Sequence, residues 1–299
     1  MNSYLCAFDG LAVMRARLGD EANIQTLEYG EPLLIGSARV SLHPAGHVLG
    51  SAQVRIDVEG HIAVVSGDYK TEPDVTCRPF EPVKCHLFVT ESTFGLPIYR
   101  WPSEGSVFAK INDWWRSNQS HGKCTFLMGY ALGKCQRVLA KLDPGIGPIY
   151  LHGAVHRLTE AYRESGIALP DTYLVSEAPK GLDWSKAIVL APPSAHGSTW
   201  MRRFGEYATG FMSGWMAIRG TRRRRAIDRG FVLSDHVDWP SLITAIGETD
   251  AERVWVTHGY SGPVVRYLEE HGIQAEVLTT QWEGESDTGI EVAEEAQEG

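Results

Sequence analysis

The segment His61–Tyr69 reads HIAVVSGDY, a short apolar run that leads directly into a glycine and the carboxylate of Asp68. The segment Leu87–Gly95, LFVTESTFG, repeats this arrangement with a second apolar run that ends in Glu91. Both runs have the length and composition of buried strands. Because open α/β sheets usually carry their chemistry beyond the carboxyl ends of their strands, the two segments predict an α/β fold with carboxylates at such positions.

The middle of the chain has a different pattern, in which strands alternate with segments of helical spacing. That alternation predicts a second α/β unit with a parallel sheet. Beyond it, strands ending in acid–base side chains return, with predicted strands at Gly230–Leu233 and Arg253–Thr257. We therefore expect a split domain with an insertion. The elements predicted for the middle include Ser103–Arg116, Thr125–Met128, Gly133–Leu142, Pro148–Leu151, Leu158–Ser165 and Lys186–Ala191.

The composition is that of a globular protein with a slight excess of acid. Hydrophobic residues make up 43% of the 299 residues, and 28 basic against 37 acidic residues give a net charge of −9. A uniformly basic surface for nucleic acid is thereby excluded, although a local basic patch is not. From Glu283 to Glu298 there are seven acidic residues and no basic ones, so we expect residues 284–299 to form an acidic disordered tail.

The chain shows no sign of secretion or of a membrane anchor. The five cysteines are odd in number and include no Cys-x-x-Cys pair, which is typical of free thiols in a reducing compartment. No apolar run approaches the length of a membrane span, and Met1–Gly10 has no signal-peptide pattern. We expect a cytoplasmic protein without membrane contact.

Side chains that can bind a metal or transfer a proton recur at the ends of predicted strands. Imidazole and carboxylate groups are the usual ligands of Zn²⁺ and Mn²⁺. Any one of these residues alone is more often structural, but the repetition of the pattern favours a shared site. The five candidates are His47, Asp68, Glu91, His236 and His258.

Several motifs, taken together, resemble those of a known family. HPAGHVLGSA, SGDY, TESTFG, LSDHVDW and VTHGY follow one another in this order, at His43–Ala52, Ser66–Tyr69, Thr90–Gly95, Leu233–Trp239 and Val256–Tyr260. They resemble the metallo-β-lactamase-fold nucleases of the β-CASP group. The nearest likeness is to the bacterial branch called ligase-associated DNA exonuclease, also labelled an RNA 3′-end processing factor, whose ALGKCQR-like segment is matched at Ala131–Arg137.

The resemblance implies a fold and a division into domains. We expect an αββα sandwich of the metallo-β-lactamase type, formed by residues 1–96 and 227–283. A β-CASP α/β insert would occupy residues 97–226.

The resemblance also implies a role for each candidate residue. His47 would bind a first zinc ion, Asp68 would bridge two zinc ions, and His258 would bind the second. Glu91 would orient His236 and keep its imidazole charged, so that the imidazole stabilises or protonates the leaving oxygen. Two Zn²⁺ ions are implied, with Mn²⁺ as the alternative, to bind phosphate oxygens and activate the attacking water.

One family motif, the loop His-x-His-x-Asp-His, has no counterpart, because the eleven histidines include no His-x-His pair. We expect the chain to begin immediately after this loop and thus to be truncated at its N-terminus. Each zinc would then keep two protein ligands, one fewer than catalytic zinc usually has. Two explanations stay open, namely a misassigned start and an inactive relative.

Two basic features are candidates for contact with nucleic acid. The first is the run Arg222, Arg223, Arg224 and Arg225, for which a solvated charged turn is the alternative. The second is the pair Lys134 and Arg137 at a predicted helix start, where a routine strand-to-helix turn is the alternative.

The family likeness predicts a metal-dependent nuclease, a DNA exonuclease in end processing or repair. The alternatives are an RNA 3′-end processing nuclease and a non-catalytic nucleic-acid-binding remnant. Association with a DNA ligase and a helicase is implied only by the name of the branch.

Overall fold

The computed structural model describes residues 3–218 and 227–280. The chain forms two compact units, one containing the described residues up to Arg100 and from Asp235 onward, the other Trp101–Ser234. The arginine run at 222–225 and the acidic tail at 284–299 lie outside the described residues, so the interpretations placed on them stay predictions.

The described elements follow one another as short strands and helices. The strands are β1 (Ser3–Ala7), β2 (Asn23–Leu27), β3 (Leu33–Ile35), β4 (Ala38–Pro44), β5 (Ala52–Val58), β6 (His61–Val65), β7 (Leu87–Glu91), β8 (Cys124–Met128), β9 (Ile149–Leu151), β10 (Tyr173–Leu174), β11 (Ile188–Ala191), β12 (Tyr207–Met212), β13 (Arg229–Phe231), β14 (Arg253–Thr257) and β15 (Gln274–Val277). The α-helices are α1 (Leu11–Leu18), α2 (Glu104–Ser120), α3 (Lys134–Leu139), α4 (Gly153–Glu164), α5 (Trp239–Glu248) and α6 (Ser261–Glu270).

The first unit is built on a seven-stranded sheet in the order β15-β14-β7-β6-β5-β4-β3. Strands β3 to β6 pair antiparallel, whereas β6, β7, β14 and β15 are parallel neighbours. Buried side chains such as Phe88 and Val254 pack with Leu242 and Leu268 of α5 and α6. Because parallel strands run in one direction, β6, β7 and β14 all end at the same edge of the sheet.

A second, two-stranded parallel sheet of β1 and β2 belongs to the same unit. Ala7 and Leu27 from these strands form a small buried cluster with Leu42 of β4. The sheet arrangement agrees with the predicted mixed α/β class.

The second unit contains a six-stranded sheet in the order β10-β9-β11-β8-β12-β13, in which every pair is parallel. Its core includes Ile111 and Trp115 of α2, Leu127 of β8 and Val155 of α4. The prediction of a parallel α/β unit in the middle of the chain is confirmed.

The strand predicted at Gly230–Leu233 forms at Arg229–Phe231 and pairs with β12 of the middle sheet. It is therefore the edge strand of the second unit and not the first strand of a return to the other sheet. The ring of Phe231 packs on Trp114 with a centroid distance of 5.5 Å, which ties β13 to the middle core.

The structure also bears on the expected absence of membrane spans and on the state of the cysteines. No described helix combines the length and the apolar content needed to cross a membrane. All five cysteines are free thiols, as their spacing predicts.

Candidate metal and catalytic site

The loop after β4 positions His47 through tight turns and one hydroxyl acceptor. Gly46 and Gly50 adopt φ values of +72° and +79°. The Ser51 hydroxyl oxygen accepts the backbone N–H groups of His47 at 3.1 Å and Val48 at 3.2 Å. The glycine and serine positions of the HPAGHVLGSA segment thus shape the loop that presents the histidine.

Three metal-capable side chains converge in this unit. One potential ligand atom from each of His47, Asp68 and His236 lies within 4.8 Å of the other two. The Nε2 atom of His47 is 3.9 Å from Oδ2 of Asp68, whose side chain is 48% exposed. Asp68 reaches the cluster because the chain turns at Gly67, with φ +58°, two residues beyond the end of β6. The cluster is therefore open to solvent on the carboxylate side.

The carbonyl of Asp235 fixes the orientation of the His47 ring. Nδ1 of His47 lies 3.0 Å from this carbonyl oxygen, and a carbonyl only accepts, so Nδ1 carries the proton. The remaining ring nitrogen, Nε2, is then the atom that His47 presents to the cluster. An outer partner of this kind is the usual way in which a metal-binding imidazole is oriented.

Glu91 and His236 form a buried pair next to the cluster. Nδ1 of His236 lies 3.0 Å from Oε1 and 2.9 Å from Oε2 of Glu91. The two side chains are only 1% and 2% exposed. Oε1 also accepts the backbone N–H of Tyr69 at 2.8 Å. The carboxylate is thus held from two sides, and it fixes Nδ1 of His236 as a protonated nitrogen.

Aromatic side chains close off the buried side of this pair. The rings of His47 and His236 have centroids 4.9 Å apart, and Phe94 meets His236 edge-on at 6.0 Å. Burial raises the pKa of the Tyr69 phenol well above its ordinary value, although the hydrogen bond with Thr90 opposes the shift. Tyr69 therefore contributes a neutral phenol and a backbone donor to the site.

His258, the predicted ligand of a second ion, is not a member of the three-residue cluster among the described residues. It follows β14, and the pairing of that strand with β7 sets Thr257 opposite Glu91. Its own backbone is left-handed, with φ +59°. His258 thus leaves the same sheet edge as Glu91, from a turn that most residues avoid.

The two predicted nucleic-acid contacts of α3 are buried in the second unit. Lys134 is 2% and Arg137 1% exposed. Nη1 of Arg137 donates to the carbonyl oxygen of Ser234 at 2.8 Å, and the Lys134 ammonium lies 4.7 Å from the centre of the Tyr130 ring. These contacts give both side chains a structural role, and phosphate contact by them stays a prediction.

Of the five predicted side chains, His47, Asp68 and His236 meet in one cluster and Glu91 contacts His236, but sequence reasoning missed the backbone groups around them. It assigned His236 to proton transfer, whereas the structure also places this residue among the metal-capable side chains. It did not find the Asp235 carbonyl or the Tyr69 N–H, because backbone groups have no residue signature. The only available signal was their position beside His236 and Asp68 in the motifs.

Comparisons with known proteins place these observations in a family context. No protein-family model matches the chain. The chain is 31% identical over 276 residues to a protein of Opitutus terrae named "Probable DNA ligase", a match that covers 91% of this chain and 26% of that protein. It is 32% identical over 125 residues to endoribonuclease YSH1 of Gibberella zeae, covering 40% of this chain and 14% of the relative. The Saccharomyces cerevisiae endoribonuclease YSH1 is 29% identical over 124 residues, covering 40% and 15%.

The chain spans about a quarter of the length of the ligase-named relative and about a seventh of the length of these endoribonucleases. The match to the first relative nevertheless extends over most of this chain. The chain is a homologue of the β-CASP nucleases of the metallo-β-lactamase-like group, related to the ligase-associated exonucleases among them.

Proposed function

We propose that this chain hydrolyses phosphodiester bonds of nucleic acid with the help of divalent metal ions. The observation that carries the proposal is the buried pair of Glu91 and His236 beside the cluster of His47, Asp68 and His236. The pair provides a positioned proton and the cluster provides donors for a cation. Nucleases of the metal-dependent kind combine these two functions in one site.

The donor set fits a divalent cation. His47 and Asp68 offer an imidazole nitrogen and a carboxylate to the ion, two of the three protein donors that catalytic zinc usually has, and Nε2 of His236 is left for the proton. Each imidazole is oriented by a second group, His47 by the Asp235 carbonyl and His236 by Glu91. A bound Zn²⁺ or Mn²⁺ would supply Lewis-acid polarisation of a phosphate oxygen. We propose that Asp68 and His258 serve a second ion.

The protein's own groups would manage the proton of the reaction. Glu91 accepts the Nδ1–H of His236, so a proton given to the leaving oxygen comes from Nε2 of the same ring. Burial of the pair keeps water from competing for the Nδ1–H. We assign His236 to this proton transfer. The alternative is that His236 binds the metal ion, and the ion content of a His236→Gln variant distinguishes the two roles. Loss of cleavage with full ion content supports the transfer role.

The proposed function goes with a specific type of α/β fold. We propose that the first unit is the metallo-β-lactamase-type domain and that the second unit is the β-CASP insert. The two separate sheets of the first unit, in which β1 and β2 pack on β4, support the sandwich assignment.

We propose that the substrate is DNA and that the chain acts as an exonuclease in DNA end processing or repair. The support is the match of 91% of the chain to a relative named "Probable DNA ligase", and we propose functional association with a DNA ligase on the same ground. RNA 3′-end processing is the second candidate, favoured by the relatives named as endoribonucleases.

The test compares matched DNA and RNA strands, each labelled at one end, with Mn²⁺ or Zn²⁺ and with a chelator. We expect cleavage that requires the ion, that is faster on DNA, and that is lost in Asp68→Asn. Asp20→Asn, an exposed carboxylate of the same unit, is the matched control. A chain that binds nucleic acid without ions and cleaves neither strand would be a non-catalytic remnant instead.

The arginine run would supply contact with the phosphate backbone. Replacing Arg222, Arg223, Arg224 and Arg225 with serine is expected to weaken DNA binding and to flatten its salt dependence. Unchanged binding at low salt would exclude this role.

A further inference from the structure

The turn after β14 has an unusual backbone. His258 adopts φ +59° and Gly259 φ +65°, so two successive residues lie in the left-handed region. For a residue with a Cβ this conformation costs free energy, and it persists only where the surroundings hold it.

Ser92, the residue after Glu91, contacts this turn from three directions. It is fully buried, and its hydroxyl donates to the carbonyl oxygen of His258. The same hydroxyl oxygen lies 3.2 Å from the Thr257 carbonyl oxygen and 3.0 Å from Oγ of Ser261. The side chain of Ser92 therefore contacts the two carbonyls on either side of the His258 Cα.

Each hydroxyl of Ser92 and Ser261 has one proton, which limits how many of the nearby carbonyl oxygens can accept a hydrogen bond from it. Ser261 Oγ lies 3.2 Å from the His258 carbonyl oxygen, so this carbonyl is within reach of two neighbouring hydroxyl donors. A carbonyl has two lone pairs and can accept both. Removing the Ser92 hydroxyl leaves Ser261 as the hydroxyl donor to the His258 carbonyl oxygen and takes away the hydroxyl beside the Thr257 carbonyl oxygen.

The backbone of Ser92 fixes the same turn. Its carbonyl oxygen accepts the N–H of Tyr260 at 2.9 Å. A Cβ on Gly259 would lie 2.5 Å from the Cα of Thr93 and closer still to the carbonyl oxygen of Ser92. Position 259 therefore needs glycine both for its backbone conformation and for its approach to the strand end that carries Glu91.

We propose that Ser92 is a positioning residue that locks the His258–Gly259 turn onto the end of β7, so that the His258 imidazole is held ready for a divalent cation. The inference rests on the proposed function, since it assigns His258 to an ion. The Ser92 side chain would thereby connect the strand end that carries Glu91, which orients His236, to His258, which would bind the second ion. Ser92 itself touches neither the ion nor the substrate.

The experiment measures ion binding and backbone exchange in the full chain carrying Ser92→Ala. Titration calorimetry with MnCl₂ and with ZnCl₂ gives the affinity of each ion, and hydrogen exchange gives the protection of residues 257–261. We expect affinity for one ion to fall by about ten- to a hundredfold, as for other outer partners of metal ligands, with the second ion unaffected. Exchange in the turn should accelerate.

Ser106→Ala is the matched control, because its hydroxyl also donates to a backbone carbonyl, that of Ser103, but on an exposed helix start. It should leave both readouts unchanged. Should Ser92→Ala fail to fold, Ser261→Ala removes the second donor to the His258 carbonyl and should shift both readouts in the same direction by less.

Native ion affinities together with native exchange rates in Ser92→Ala would overturn the inference and leave the proposed function intact. If the native chain takes up no ion at all, the proposed function fails. In that case the hydrogen-exchange rate of residues 257–261 is the remaining test of whether Ser92 holds the turn. Native exchange rates in both Ser92→Ala and Ser261→Ala would refute the role of Ser92 too.

Discussion

Replacing Glu91 with glutamine perturbs the site at its best-defined contact. The carboxylate oxygens lie 3.0 and 2.9 Å from Nδ1 of His236, and Oε1 also accepts the Tyr69 N–H at 2.8 Å. Glutamine has nearly the same shape but offers one acceptor in place of two, and it has no charge. Its NH₂ group would face the Nδ1–H, placing one donor against another.

The expected effect has a stability part and a catalytic part. A hydrogen bond to a charged group contributes about 1.5–3 kcal/mol, so the free energy of unfolding should fall by about this amount. A positioned general acid accelerates a reaction by about 10²–10⁴-fold, which corresponds to about 2.7–5.4 kcal/mol of activation free energy. Because His236 loses the group that orients it, we expect kcat to fall within that range.

The assay is steady-state cleavage of an end-labelled DNA strand at saturating Mn²⁺, with ion content measured on the same samples. Glu276→Gln serves as the control, because this carboxylate is exposed and lies on β15 of the same sheet. A Glu91→Gln protein with native kcat would refute the reasoning. A loss of rate that follows a loss of bound ion would also refute it, since Glu91 would then act through the metal.

Three further predictions concern single residues. His47→Ala should remove one bound ion per chain by elemental analysis, whereas His61→Ala should keep the native content; equal content in both would contradict the cluster. Arg137→Gln should lower the free energy of unfolding by about 1–3 kcal/mol, because the Ser234 carbonyl loses a buried donor, and should leave the salt slope of DNA binding unchanged. A changed slope with native stability would instead support phosphate contact. Burial lowers the pKa of His43 below its ordinary value of 6.5, so its contribution to stability is present above pH 6.5 and is lost as the pH falls below it. His43→Gln should therefore flatten the fall in unfolding free energy between about pH 6.5 and 5, and parallel curves for the two proteins would contradict this.

Strands of regular apolar content were predictable from the sequence. The predicted bounds of β14 agree with the structure at both ends, and β6 and β7 form within the apolar runs of the segments His61–Tyr69 and Leu87–Gly95. These strands determine the sheet edge that presents Asp68 and Glu91. The sequence also predicted that Glu91 orients His236, and the structure places their nearest atoms 2.9 Å apart.

Elements whose apolar residues show no clear period were not predicted from the sequence, or were predicted with wrong bounds. Strand β12, YATGFM, contains Gly210, which weakens a strand pattern, yet a Cβ there would lie 2.8 Å from the Trp114 ring, so the glycine serves tertiary packing. Helix α4 begins earlier than predicted because Nδ1 of His152 accepts the Ala154 N–H and caps it. Histidine is not among the residues that usually indicate a helix start.

The positions of Lys134 and Arg137 illustrate a second limit. A short basic helix start reads as a phosphate site when only the sequence is known. In the structure every residue of α3 is buried, and the missing side chain at Gly129 leaves room for Lys134, since a Cβ there would lie 3.2 Å from its Cδ. Burial on all sides of a six-residue helix depends on the tertiary fold, which local pattern does not reveal.

The central claim is that His47 and Asp68 hold a cation used for cleavage, beside the imidazole of His236. Anomalous diffraction from crystals of the chain grown with MnCl₂ tests it most directly. We predict a manganese peak within coordinating distance of Nε2 of His47 and the carboxylate of Asp68. A map with manganese bound elsewhere, such as at the stacked pair of His61 and His86, and with no peak at this cluster would contradict the claim.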